Sequence, residues 1–131
     1  MTILEESNPD FICIQEHWLH NFESGYIHDL FPNHSAHVKC YDDNNPINPL
    51  KKPRGTGGTA TLWDSRLDYC VEPQPDGSSR VNATVIKTSP IPTLLINTYM
   101  PTEGMHTHDS STDVMDEIYE LLQKFKDHVP L

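Results

Sequence analysis

Proline, glycine, asparagine and aspartate cut this chain into short apolar pieces, most of them suited only to strands. The eleven prolines constrain most, because each fixes φ, removes a backbone donor and pushes the residue before it away from helical geometry. At 131 residues the chain is expected to form one domain spanning positions 1–131. Charged residues make up only 21%, too few for wholesale disorder. The pattern predicts a loop-rich, strand-rich domain with a lean core.

Asn8-Pro9-Asp10 punctuates before Phe11-Ile12-Cys13-Ile14-Gln15-Glu16. Five largely apolar residues with little alternation predict a strand covered on both faces, as in a layered α/β fold. A weaker strand is expected over Ser35–Tyr41. Residues 42–57, rich in proline and asparagine, predict a surface loop. Thr59–Trp63 and Leu67–Glu72 then read as a hairpin across Asp64-Ser65-Arg66. Arg80–Lys87 alternates Val81, Ala83 and Val85 against Arg80, Asn82 and Thr84, and Thr93–Tyr99 follows a proline-marked turn. These two give the clearest strand pair.

One segment has the helical period instead. Val114, Met115, Ile118, Leu121, Leu122 and Phe125 fall on one stripe, predicting an amphipathic helix over about 112–127. Ser110, Ser111 or Thr112 supplies a cap, acids lie near the positive end and Lys124, Lys126 and His128 near the negative one. Pro130 is expected to stop it, with no strand following. Both ends of the chain read as cut.

No apolar run approaches the roughly 20 residues a bilayer span needs, so no membrane partner is expected. The first residues lack the basic and apolar regions of a secretory signal. Cys13, Cys40 and Cys70 are odd in number and widely spaced, which fits neither a disulfide framework nor a zinc site. Reduced, mostly buried thiols in an intracellular protein, nuclear or cytoplasmic, are the expectation. The eight histidines include close pairs at His17/His20, His34/His37 and His106/His108, but none has zinc spacing with cysteine partners. A net charge of −10 opposes non-specific attraction to a phosphate backbone. Only Lys51, Lys52 and Arg54, clustered in the loop, offer a local basic patch for DNA.

Two constellations carry chemistry. Gln15-Glu16 closes an apolar strand, holding a carboxylate on rigid backbone where a hard divalent cation such as Mg²⁺ finds oxygen donors. A strand-ending glutamate is also an ordinary solvated rim residue. Asn97 and Tyr99 lie on one face of their strand by the period of two, a polar pair able to donate hydrogen bonds to a phosphate or simply to satisfy a sheet edge.

PDFICIQEHWL, GTGGTATLWDSRL, RVNATVI and TLLINTYMPTEG, followed by an amphipathic helix, together resemble the endonuclease/exonuclease/phosphatase superfamily. The closest resemblance within it is to the apurinic/apyrimidinic-type endonuclease domain of non-LTR retrotransposons. The resemblance implies an α/β (α+β) fold: a partial four-layer sandwich of two mixed β-sheets with outer helices, truncated at both ends. It also implies a Mg²⁺-dependent phosphodiester hydrolase centre, with Glu16 binding metal and Tyr99 contacting the scissile phosphate. Asn97 is expected to line the same pocket, Arg80 to reach the substrate backbone, and Thr102 stands where many members have asparagine.

The family's early asparagine, its Gly-Asp-x-Asn segment, a late aspartate and a terminal Ser-Asp-His have no counterpart in the sequence. The expectation is therefore an incomplete endonuclease domain, retrotransposon-derived and inactive alone, with DNA binding weak or absent. Alternatives are a non-catalytic binding or scaffold remnant of the same fold, and a lipid or nucleotide phosphohydrolase of the superfamily. An exposed sheet edge and uncovered helix stripe are expected to favour association with another chain.

Overall fold

The computed structural model describes residues 9–43, 50, 57–100 and 111–130. In chain order these form β1 (Phe11–Gln15), a 3-10 turn (Asn21–Glu23), α1 (Gly25–Leu30), β2 (His34–Lys39) and β3 (Thr59–Asp64). A longer 3-10 segment (Ser65–Cys70), β4 (Val71–Pro73), β5 (Val81–Ile86), β6 (Thr93–Thr98), α2 (Ser111–Lys124) and β7 (Val129–Pro130) follow. Two sheets result, ordered β1-β3-β2 and β4-β5-β6-β7. The fold is mixed α+β. The first sheet is antiparallel throughout, whereas the second adds the parallel pair β6–β7 to antiparallel neighbours. Only one sheet is therefore mixed, where two were expected.

Alternation along the strands separates two apolar clusters. Ile12, Ala60 and Leu62 turn toward Ile27 and Phe31, with Ile14, Leu19, Ala36 and Val38 packed beside them. Val81, Ala83, Val85 and Leu94 turn toward Val114 and Leu121 of α2, joined by Ile96, Ile118 and Phe125. Each sheet thus has its own apolar cluster on the face covered by its helix, and the opposite faces meet each other.

That middle layer holds Trp63 and Leu95 but is otherwise rich in buried polar side chains. Thr59, Thr61, Asn82 and Thr84 are fully buried, and Asn97 is 3% exposed. Hydrogen bonds cross the gap: Asn82 Nδ2 donates to the His37 carbonyl at 2.9 Å, Asn97 Nδ2 to the Ala60 carbonyl at 2.8 Å, and Thr59 Oγ1 to the Ser79 carbonyl at 3.0 Å. Lys39 reaches across from β2, where its ammonium donates to the carbonyls of Asp76, Gly77 (3.1 Å) and Val81 (2.9 Å). Three donors meet three acceptors, which compensates for burying the charge.

Several sequence expectations are corrected. β1 is an edge strand rather than a doubly covered one, and Cys13 is exposed; only Cys40 is buried among the thiols. The expected hairpin across 64–66 is instead a crossover between sheets. Asp64 accepts from Arg66 N at 2.9 Å and from its guanidinium, winding the chain into the 3-10 segment. β4 then pairs with β5 rather than with β3. The segment over α1, to which the sequence pattern assigned no element, is a helix that buries only Ile27. α2 ends at Lys124, and Pro130 lies in β7, paired with Leu94 at the sheet edge where a missing N–H is tolerated. Its stripe is narrower than expected: Val114, Ile118, Leu121 and Phe125 pack, while Met115 and Leu122 are exposed. The strand pair 80–87 and 93–99 is confirmed as β5 and β6. Expectations for the N-terminal residues, most of the 42–57 loop, the cap at 110, Thr102, His106 and His108 lie outside the described residues, and those for the side chains of Ser111 and Thr112 are likewise undescribed.

Thr61 and Thr84 sit in the same layer with opposite consequences. Thr61 Oγ1 accepts from Asn97 Nδ2 at 3.3 Å, whereas Thr84 Oγ1 has no hydrogen-bond partner among the described residues. Thr84→Val is expected to be neutral or stabilising by up to about 1 kcal/mol, and Thr61→Val to destabilise by about 1 kcal/mol. Urea midpoints of the two variants check this; equal losses would contradict it.

Candidate functional site

Gln15 ends β1, and the chain then makes an unusual turn. Glu16 (φ 55°) and Trp18 (φ 62°) both adopt the left-handed region, which non-glycine residues rarely enter because Cβ crowds the backbone. Their backbone donors explain why they hold it. Glu16 N donates to the Gly58 carbonyl at 2.8 Å and Trp18 N to the Gly57 carbonyl at 2.9 Å. The paired glycines are themselves left-handed, at φ 58° and 89°. Strain of this kind persists where surrounding contacts over-determine the conformation. It leaves Glu16 exposed and Trp18 50% exposed on a rim directly ahead of β3.

Tyr99 arrives at the same glycines from the other sheet. A Cβ on Gly57 would lie 2.4 Å from Tyr99 Oη, so the hydroxyl rests against this backbone. Arg80 precedes β5 and stacks over the Tyr99 ring, with Cζ 5.4 Å from its centroid, a favourable cation–π geometry. Its carbonyl accepts from Tyr99 N at 3.3 Å and from Thr98 Oγ1 at 2.8 Å. The Glu16 backbone and the Tyr99 hydroxyl therefore meet at Gly57-Gly58, with Arg80 against Tyr99, although the three come from separate segments.

Asn97 occupies a different place from the expected phosphate contact. It is buried, and its Nδ2 donates toward the carbonyls of Ala60 and Ile14 and toward Thr61 Oγ1. Gln15 Nε2 donates to its Oδ1. With both hydrogens engaged, its amide has no donor to offer a phosphate. Lys51, Lys52 and Arg54 lie outside the described residues.

His17 fills the space beneath the turn. A Cβ on Gly58 would meet its imidazole at 2.3 Å. Leu19 N donates to His17 Nδ1 at 3.0 Å, which leaves the ring proton on Nε2 to donate to the Lys39 carbonyl at 2.9 Å. Burial lowers its pKa below the usual histidine range, opposed in part by backbone acceptors and Asp43. His37, in the middle layer, is also lowered by burial and by the Lys39 ammonium, against Asn82 and Asp43. Burial, aided by Asp43, Asp42 and Glu23, pushes the Cys40 thiol up to about 12, so it is no nucleophile at neutral pH.

Sequence reasoning placed Gln15, Glu16 and Tyr99 but missed the supporting Gly57-Gly58 pair and His17. The adjacent glycines before an apolar strand were the available signal; His17 stood out only as half of the His17/His20 pair, and its place beneath the turn had no local signal. Among the described residues no group of three His, Cys, Asp or Glu side chains is placed to hold a metal ion, and no helix is long and apolar enough to cross a membrane. No protein-family model matches the chain, and comparison with curated proteins gives no match.

Gly57→Ala is expected to cost about 1–2 kcal/mol from the left-handed backbone alone, and to shift the Tyr99 ring resonances. Gly25, with nothing near its Cβ position, is the control: Gly25→Ala leaves Tyr99 unmoved. Because the native state lowers the His37 pKa, it binds fewer protons than the unfolded chain in mildly acidic solution. Stability present above about pH 6.5 is therefore lost as pH falls through and below that value. Urea unfolding at pH 7.5 and 5.0 measures the loss, and His37→Gln is expected to shrink it.

Proposed function

We propose that this chain carries part of a divalent-metal phosphodiesterase centre of the endonuclease/exonuclease/phosphatase superfamily, in the form belonging to retrotransposon endonuclease domains. The single observation that supports this is the meeting of Glu16 and Tyr99 around Gly57-Gly58 from different sheets. Nothing in local sequence spacing demands that meeting.

Mg²⁺ is the ion implied. Glu16 offers an exposed carboxylate on held backbone, and Mg²⁺ commonly binds through one or two carboxylates while keeping water and substrate phosphate as further ligands. On this reading Glu16 would be the one protein ligand among the described residues. When bound, it supplies charge neutralisation at a phosphate undergoing attack. On this reading Tyr99 would contact a phosphate oxygen, and the Arg80 guanidinium stacked on its ring adds positive charge beside it.

What the sequence lacks sets the limit. It holds no Gly-Asp-x-Asn and no Ser-Asp-His, so on this reading the group that activates water is missing. A general base typically contributes about 10² to 10⁴ in rate. DNA is the substrate class of the complete centre; with a net charge of −10, this chain binds it weakly at physiological salt.

Two measurements test the proposal. Mn²⁺, used as a paramagnetic stand-in for Mg²⁺, is expected to broaden the Glu16 amide and Tyr99 ring resonances, and Glu16→Gln to abolish that broadening. Unaffected resonances would remove the metal reading. The purified chain is expected to show no Mg²⁺-dependent nicking of supercoiled plasmid; robust nicking lost in Glu16→Ala would show a working centre instead.

A further inference from the structure

Glu16 and Tyr99 follow strands in different sheets, and among the described residues no strand pairing joins β1 to β6. Something other than a β-ladder must set their separation. We propose that Gln15 and Asn97 are positioning residues: their side-chain hydrogen bond across the sandwich fixes where Glu16 stands relative to Tyr99. This rests on the functional reading above.

The connection is short and continuous. Gln15 immediately precedes Glu16, and Asn97 is two residues before Tyr99 on the same strand face. Gln15 Nε2 donates to Asn97 Oδ1. Asn97 Nδ2 returns to β1 through the Ile14 carbonyl at 3.3 Å and to β3 through the Ala60 carbonyl at 2.8 Å. Its carboxamide is thus held on three sides, by β1, by β3 and by Gln15. On either side of the pair the backbone is fixed as well. Glu16 N is bound to Gly58, and Thr98 Oγ1 and Tyr99 N are bound to the Arg80 carbonyl. Breaking the middle link frees one sheet to shift against the other at the point where the two candidate site residues emerge.

Burial separates the two partners and makes the role testable. Asn97 is 3% exposed, so its removal would unfold as readily as misplace. Gln15 lies at the exposed rim, and Gln15→Met keeps chain length while deleting the donor. A merely structural bond predicts a lower unfolding midpoint and no more. A positioning bond predicts that, in folded and metal-free Gln15→Met, the Glu16 amide and Tyr99 ring resonances move together. Gln15→Lys, which restores an N–H donor at similar reach, returns the Tyr99 resonances toward their original positions. With Mn²⁺ added, broadening at Tyr99 falls several-fold in Gln15→Met. Tyr99 resonances unmoved by Gln15→Met would overturn the proposal. Coupled movement without any Mn²⁺ effect in the unsubstituted protein would leave the positional link standing and remove the metal reading alone.

Discussion

The Asn97 carboxamide is the contact on which the architecture turns. Apolar burial secures each helix to its own sheet, while between the sheets threonine, asparagine, histidine and lysine side chains make directional bonds beside Trp63 and Leu95, which share those strand faces. Hydrophobic contact is non-directional, whereas hydrogen bonds fix distance and angle. Two sheets joined by directional bonds therefore hold one lateral alignment, and that alignment brings the end of β1 beside the end of β6.

Such a layer has a cost. Buried polar groups are tolerated when satisfied and are destabilising when they are not. Asn82 Oδ1, Thr84 Oγ1 and His37 Nδ1 lack hydrogen-bond partners among the described residues, in the same layer that carries the cross-sheet bonds. This is the reverse of an oily core that tolerates exchange of one aliphatic residue for another. Changes here act through lost partners and through protonation, so pH and single polar substitutions are the sensitive variables.

Legibility from sequence follows the same division. β5, β6 and α2 could be read because Val81, Ala83 and Val85, and the Val114–Leu121 spacing, report one-sided apolar burial. β1 was misread because Phe11-Ile12-Cys13-Ile14 is apolar in composition while the strand lies at an open edge that leaves Cys13 exposed. The 3-10 segment was missed because its cause is an Asp64–Arg66 interaction, and α1 because a helix burying only Ile27 has almost no period to detect. Asn97 was assigned to a pocket on its polarity and strand face. Its partners are carbonyls of distant strands, which no local pattern reveals. That the Glu16 backbone and the Tyr99 hydroxyl both reach Gly57-Gly58 has no signal in their separation along the chain.

Lys39 limits what the chain can tolerate at one position. Its three ammonium hydrogens are matched to three converging main-chain oxygens, a pyramidal arrangement that a flat guanidinium cannot copy. An uncharged side chain there would strand three carbonyls together, and acetylation would replace the ammonium by a bulky amide with a single hydrogen. The residue is consequently replaceable by neither its basic relative nor its modified form without opening the loop ahead of β5.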